Sequence, residues 1–200
     1  NQIWSKTLAA STSTTDIAVA ATGEFYAIGG ISDGTATGNG ALVIKHDGNF
    51  NAIWRKTYSL SNCGVRVAVD TKGNLVVSGI ASPNGGYRNW STFKLDPAGN
   101  LLWARALNLH QYNDEIPQAL VIGPDDAIYV TGHGGPGPSA GELSYLRAVT
   151  VKYNANGHQN WAYTTADTVR GLGLALGSNK ALVVIDQSPF RVMHYQQDGV

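Results

Sequence analysis

Ser91-Thr92-Phe93-Lys94-Leu95-Asp96-Pro97-Ala98-Gly99-Asn100-Leu101-Leu102-Trp103 reads as a strand, a tight turn and a second strand, and near-copies of it recur along the chain. Residues 41–54 (Ala-Leu-Val-Ile-Lys-His-Asp-Gly-Asn-Phe-Asn-Ala-Ile-Trp) and 148–161 (Ala-Val-Thr-Val-Lys-Tyr-Asn-Ala-Asn-Gly-His-Gln-Asn-Trp) repeat the pattern. In each copy a lysine (Lys45, Lys94, Lys152) stands nine residues before the tryptophan. Trp4, Trp54, Trp103 and Trp161 fall at intervals of 50, 49 and 58 residues. A period of about 40–50 residues holding several short strands is the signature of propeller blades.

Working outward, each interval carries the same four strands. In the second, Val67-Ala68-Val69-Asp70 leads through Thr71-Lys72-Gly73-Asn74 to Leu75-Val76-Val77-Ser78-Gly79, and then to the pair already quoted. The first, third and fourth intervals supply Ile17 to Ile31, Leu120 to Gly132 and Leu174 to Ile185 in the same roles. Each run is short, rich in β-branched and aromatic residues and closed by Gly, Asn, Asp or Pro, and no helical period competes. Ile17, Val19, Val67, Val69, Leu120, Ile122, Leu174 and Leu176 share one face of the innermost strands, and Ala18, Ala68 and Ala175 the other. Large residues against small ones allow twisted sheets to stack about 10 Å apart.

The fourth unit stops after its third strand and turn, and residues 1–8 (Asn-Gln-Ile-Trp-Ser-Lys-Thr-Leu) read as the missing fourth strand. The expected fold is therefore all-β: a four-bladed β-propeller with four antiparallel strands per blade, closed by the N-terminal strand completing the last blade. The single domain spans 1–200, with blades at 16–58, 65–108, 118–165 and 172–196 plus 1–8. Closure of this kind leaves no open sheet edge.

Residues 67–79 followed by 93–103 resemble the bacterial β-propeller repeat of the SBBP type, and the similarity extends along the whole chain, clearest in the second unit and weakest in the fourth. The resemblance implies a propeller, a surface or secreted setting and no shared catalytic residues. Such proteins commonly carry more blades, so the chain also reads as part of a longer ring. The Asp-x-x-Gly-x-x-x-Trp spacing is similar to the tryptophan-docked blades of pyrroloquinoline quinone enzymes, which need a longer chain and further ligands.

Composition narrows the partners. Fourteen basic and fourteen acidic residues cancel and form no blocks, which argues against nucleic acid or an anionic membrane. No apolar run reaches the ~18 residues of a membrane helix, so no membrane insertion is expected. The single Cys63 cannot form an internal disulfide and does not report a redox compartment. Low charge, 24 glycines and many Ser, Thr and Asn lean toward an extracellular or cell-surface protein, and a start at Asn1 toward a processed or excised segment.

Few motifs carry chemistry. Residues 132–137 spell G-x-G-x-x-G and 137–141 spell G-x-S-x-G, but prolines and a strand follow where a dinucleotide loop or a nucleophile elbow requires a helix. His46, His110, His133, His158 and His194 lack metal-ligand spacing, and the Asp-Gly and Gly-Asn turns lack the alternating carboxylates of a calcium loop. No cofactor or metal is expected. Asn89-Trp90-Ser91 spells a glycosylation sequon.

The two faces differ. Turns joining first to second and third to fourth strands are short and uniform, whereas the other face carries loops 32–40, 82–90, 133–146 and 187–189 and links 9–15, 59–64, 108–117 and 164–170. Function concentrates where loops vary on a rigid scaffold. That face holds Tyr87, Arg88, Trp90, His110, Tyr112, Asp114, Glu115, His133 and Tyr145, aromatics with polar neighbours suited to a glycan or protein partner. The expectation is a non-enzymatic binding or scaffold module of open oligomeric state. Its rivals are a hydrolase or lyase using Asp114, Glu115, His110 or His133 at the channel mouth, and a purely structural segment of a larger ring or assembly.

Overall fold

The computed structural model describes residues 12–31, 40–82, 88–107, 115–134, 146–178, 180–186 and 191–196. Within them the chain forms four antiparallel sheets and no helix. The first sheet contains β1 (Thr12–Val19), β2 (Phe25–Ile31), β3 (Gly40–His46) and β4 (Ala52–Tyr58). The second contains β5 (Cys63–Val69), β6 (Leu75–Ala81), β7 (Asn89–Leu95) and β8 (Leu101–Leu107). β9 (Ile116–Ile122), β10 (Ile128–Gly134), β11 (Arg147–Tyr153) and β12 (Gln159–Thr164) make the third, and β13 (Arg170–Gly177), β14 (Lys180–Asp186) and β15 (Arg191–Gln196) the fourth. Strands pair in chain order within every sheet. The strand proposed to complete the fourth sheet, residues 1–8, lies outside the described residues.

Each innermost strand begins earlier than its alternation suggests, because each is bulged at the same place. The extra residues are Thr15, Val65, Gln118 and Leu172, where the register skips one position. A bulge reverses the in-out pattern and hides the strand's first residues from a period-two reading. Opposite three of these bulges stand Gly29, Gly79 and Gly132, and a Cβ there would strike the carbonyl oxygens of Ser13, Cys63 and Ile116 respectively.

Six five-residue turns repeat one design. In turns 20–24, 47–51, 70–74, 96–100, 123–127 and 154–158 the first residue's N–H donates to the fifth's carbonyl, and the fourth's N–H donates to the first's carbonyl. The fourth residue takes positive φ in all six: Gly23, Phe50, Gly73, Gly99, Asp126 and Gly157. An Asp or Asn in first position closes the loop from inside: Asp70 Oδ1 accepts from the N–H groups of Lys72 and Asn74, and Asn154 Oδ1 from those of Asn156 and His158. Side-chain capture of nearby backbone donors is why Asp and Asn dominate such turns.

The sheets stack in series. Val67, Leu75, Val77, Phe93 and Leu95 of the second sheet pack on Ala20, Tyr26, Ile28, Ala41 and Val43 of the first. Ile128, Val130, Val149 and Val151 of the third meet Val76 and Trp90 of the second, and Leu174 and Leu176 of the fourth lie against Ala127, Tyr129 and Ala148 of the third. Burial of each such side chain stabilises the fold by about 1.5–3 kcal/mol, so these three seams dominate its stability. The inner strands β1, β5, β9 and β13 run side by side in that order. Among the described residues no seam of that kind joins β13 to β1, and the large face of the first sheet stays open, with Ile17 57% and Val19 67% exposed.

Candidate functional site

On the short-turn face the repeated lysine and tryptophan are structural. Register places Lys45 opposite Trp54, Lys94 opposite Trp103 and Lys152 opposite Trp161. Trp54 Nε1 donates to Pro97 O at 3.2 Å, Lys56 Nζ to Ala98 O at 2.7 Å and the Tyr58 hydroxyl to Gly99 O at 2.7 Å, so one turn of the second sheet is held by the outer strand of the first. One sheet further on, Trp103 Nε1 and Lys94 Nζ donate to Ala155 O, and Arg105 Nε to Gly157 O. Burial pushes the Tyr58 hydroxyl up to about 12, which keeps it a donor through neutral pH.

The ammoniums of Lys45 and Lys94 are buried yet neutralised. Lys94 Nζ lies 2.7 Å from Asp70 Oδ2 with both side chains sequestered, and Lys45 Nζ lies 2.9 Å from Glu24 Oε2. Burial opposes ionisation of Asp70, but bonds from Lys94 and Asn74 outweigh it and hold the carboxyl below its usual range.

The loop face differs at one place, where the third sheet departs from the repeat. Aligned on the bulges, Asn62, Ile80 and Cys63 of the second sheet correspond to Glu115, His133 and Ile116 of the third, and Arg170 of the fourth stands where Cys63 and Ile116 do. Glu115 is fully buried, its N–H donates to Arg88 O at 2.7 Å, and its side chain lies over Gly134, where a Cβ would come within 2.8 Å of Glu115 Cγ. His133 neighbours Gly134 on β10 and is 7% exposed. Its Nδ1 has no hydrogen-bond partner among the described residues. Burial, followed by the charge of Arg170, pushes its pKa below the ordinary value, so the imidazole is neutral at neutral pH. A neutral imidazole and a guanidinium thus meet at the seam of the third and fourth sheets, a pair able to accept a proton beside a fixed positive charge. Glu115, lying over Gly134 and bonded to Arg88 O, sits on the other face of β10 toward the second sheet.

Of the nine residues expected on this face, four are described. Trp90 is not on an open loop: it lies within β7 and is wholly buried in the seam between second and third sheets, its Nε1 donating to Thr92 Oγ1 at 3.2 Å. That corrects its assignment to partner capture, since a ring without exposed surface stacks on nothing outside. Arg88 is exposed, and Glu115 and His133 are both buried, on opposite faces of β10. Tyr87, His110, Tyr112, Asp114 and Tyr145 lie outside the described residues. Arg170 was not among the expected residues; its signal was its place at the end of link 164–170, where an inner strand begins. Among the described residues no group of three or more His, Cys, Asp or Glu side chains is placed to hold a metal ion, and no helix is long and apolar enough to cross a membrane.

Comparison with solved structures fixes the architecture. The GH43_1 enzyme from Xanthomonas citri, complexed with xylose, aligns over 93% of this chain and 70% of its own with a TM-score of 0.51 at 12% identity. The chain has a β-propeller fold. An exo-β-1,3-galactanase from Clostridium thermocellum aligns over 90% of this chain and 46% of its own, TM-score 0.49, 18% identity. No known family model and no curated relative matches the sequence. The propeller is thus established while the SBBP repeat type is not. The expectation of a non-enzymatic module is corrected: it rested on the absence of a recognisable catalytic motif, and the fold that this chain shares is that of a GH43_1 enzyme complexed with xylose.

Proposed function

We propose that this propeller is a glycan-processing enzyme, a hydrolase or lyase whose chemistry is carried by Glu115 and His133 on the loop face. The observation that carries the reading is the departure from the repeat: the third sheet buries a carboxyl group and a neutral imidazole where the second has Asn62 and Ile80, with Arg170 beside the imidazole. A neutral imidazole accepts a proton at physiological pH, and the guanidinium stabilises negative charge developing on a sugar oxygen or carboxylate. Hydrolysis of a glycosidic bond calls for two carboxyl groups, and Asp114 is the second in sequence. The shared fold with a xylose-bound enzyme supports a sugar substrate, and extracellular action fits a polymeric glycan.

The test is a panel of aryl xylosides, arabinofuranosides and galactosides together with neutral and uronate polysaccharides. Reducing-end release identifies a hydrolase, and ultraviolet absorbance of an unsaturated product identifies a lyase. Absence of turnover on every member contradicts the proposal.

We also propose that the ring has four blades and is closed by residues 1–8 pairing with β15. The fourth sheet, three-stranded among the described residues and lacking an outer strand, supports this. Deleting residues 1–8 then lowers the melting temperature sharply. An unchanged melting temperature favours an open segment of a larger assembly.

A further inference from the structure

On the short-turn face, between the second and third sheets, an open groove of about 690 Å³ is lined by Lys72, Lys94, Leu102, Trp103, Arg105 and Asn156 among others. The repeat supplies an internal control for it. In the first sheet the positions of Lys72, Asn74 and Arg105 carry Thr22, Glu24 and Lys56, and Glu24 pairs with Lys45. In the third they carry Asp125, Ala127 and Tyr163. Of these three sheets the second alone puts a lysine in the inner turn and an arginine at that outer-strand position with no acidic residue at the groove-facing turn position.

The carboxylate that neutralises Lys94, Asp70, is fully buried beneath the groove, so it does not offset the remaining cations. Arg105 is fixed in place by Nε bonding to Gly157 O and Nη1 to Ala104 O, each 2.7 Å, which leaves Nη2 available. Lys72 is exposed and its ammonium has no partner among the described residues. Beside them Leu102, 51% exposed, and the half-buried indole of Trp103 form an apolar wall, and the exposed Asn156 presents an amide.

We propose that this groove binds an acidic sugar residue of a uronate polysaccharide: the carboxylate between Lys72 and Arg105, the carbon face of the ring against Leu102 and Trp103, and a hydroxyl on Asn156. Cations held next to an apolar wall recognise an amphipathic anion better than a bare one. The balanced charge of the chain gives none of the broad positive field that nucleic acid requires. The site lies on the face opposite Glu115 and does not depend on any reaction there.

The test titrates polygalacturonate, and separately its fully methyl-esterified form, into the whole protein carrying Glu115→Gln so that cleavage does not interfere. Polygalacturonate binds and the ester does not, binding fades as salt rises, and Lys72→Glu weakens it about tenfold by reversing one of two charges. Asn156→Asp weakens it similarly, while Thr22→Lys in the first sheet leaves it unchanged. Lys72 and Asn156 are exposed turn residues, so melting temperatures are expected to match the parent. Equal binding by the ester, or undiminished binding by both Lys72→Glu and Asn156→Asp, overturns the proposal. Binding without turnover by the parent chain leaves it standing while removing the enzyme reading.

Discussion

Trp103 donates its indole N–H to the carbonyl oxygen of Ala155, 3.2 Å away and fifty-two residues further along the chain, and Trp54 makes the same bond to Pro97. Each fastens one sheet to the outer turn of the next. Replacing either with Phe keeps most of the packing and removes the bond, so each change is expected to cost about 1 kcal/mol in urea unfolding. Trp103→Ala also removes the ring and should cost about 3 kcal/mol or more. The two Phe changes lie in different seams and should add.

Gly157 sits at φ +78 with its absent Cβ only 2.5 Å from Trp103 Cδ2, whereas Gly23 sits at φ +85 with nothing within 4 Å. Both alanine variants meet the backbone penalty of about 1–2 kcal/mol. Gly157→Ala must displace the docked indole as well, and chemical denaturation should show it the more damaging of the two by more than 1 kcal/mol. Equal losses at the two sites would mean that the indole moves aside freely.

Asp70→Asn leaves Lys94 buried without its carboxylate, a change expected to cost about 3 kcal/mol. Asp167→Asn, in the exposed pair with Arg191, should cost under about 1 kcal/mol. The folded state holds the Asp70 carboxyl below its ordinary value of 3.8. Its contribution is therefore complete above that value and lost as pH falls through the lower folded one, where the unfolded chain binds the proton first. In Asp70→Asn the acid limb of the stability profile should flatten.

His133 has the opposite charge type and the same sign. Its folded pKa lies below 6.5, so beneath pH 6.5 the unfolded chain takes up a proton that the folded one refuses. Stability should decline as pH drops from 6.5 toward the folded value, and His133→Gln should lose that part of the slope in melting curves recorded at stepped pH.

The repeat, the six turns and the Lys–Trp pairing were legible because each is written in a fixed spacing of Lys, Trp, Gly, Asn and Asp. Trp90 was not, because its strand begins two residues inside what alternation marks as a loop, and an aromatic at a loop margin reads the same whether it points in or out. His133 was singled out but placed on loop 133–146 for the same reason: β10 continues into the Gly-rich stretch, where glycines silence the β pattern. Arg170 meets His133 across two sheets, and the groove sets Asn156 of the third sheet beside Lys72 and Arg105 of the second, proximities that stacking creates and spacing does not record.

Turnover by Glu115→Gln, measured beside the parent chain on whichever glycan the parent cleaves, bears on the functional reading most directly. A loss of at least about a hundredfold in kcat, with the melting temperature kept within a few degrees, is the predicted result. Full activity in the variant, or a parent chain that cleaves no glycan offered, contradicts it.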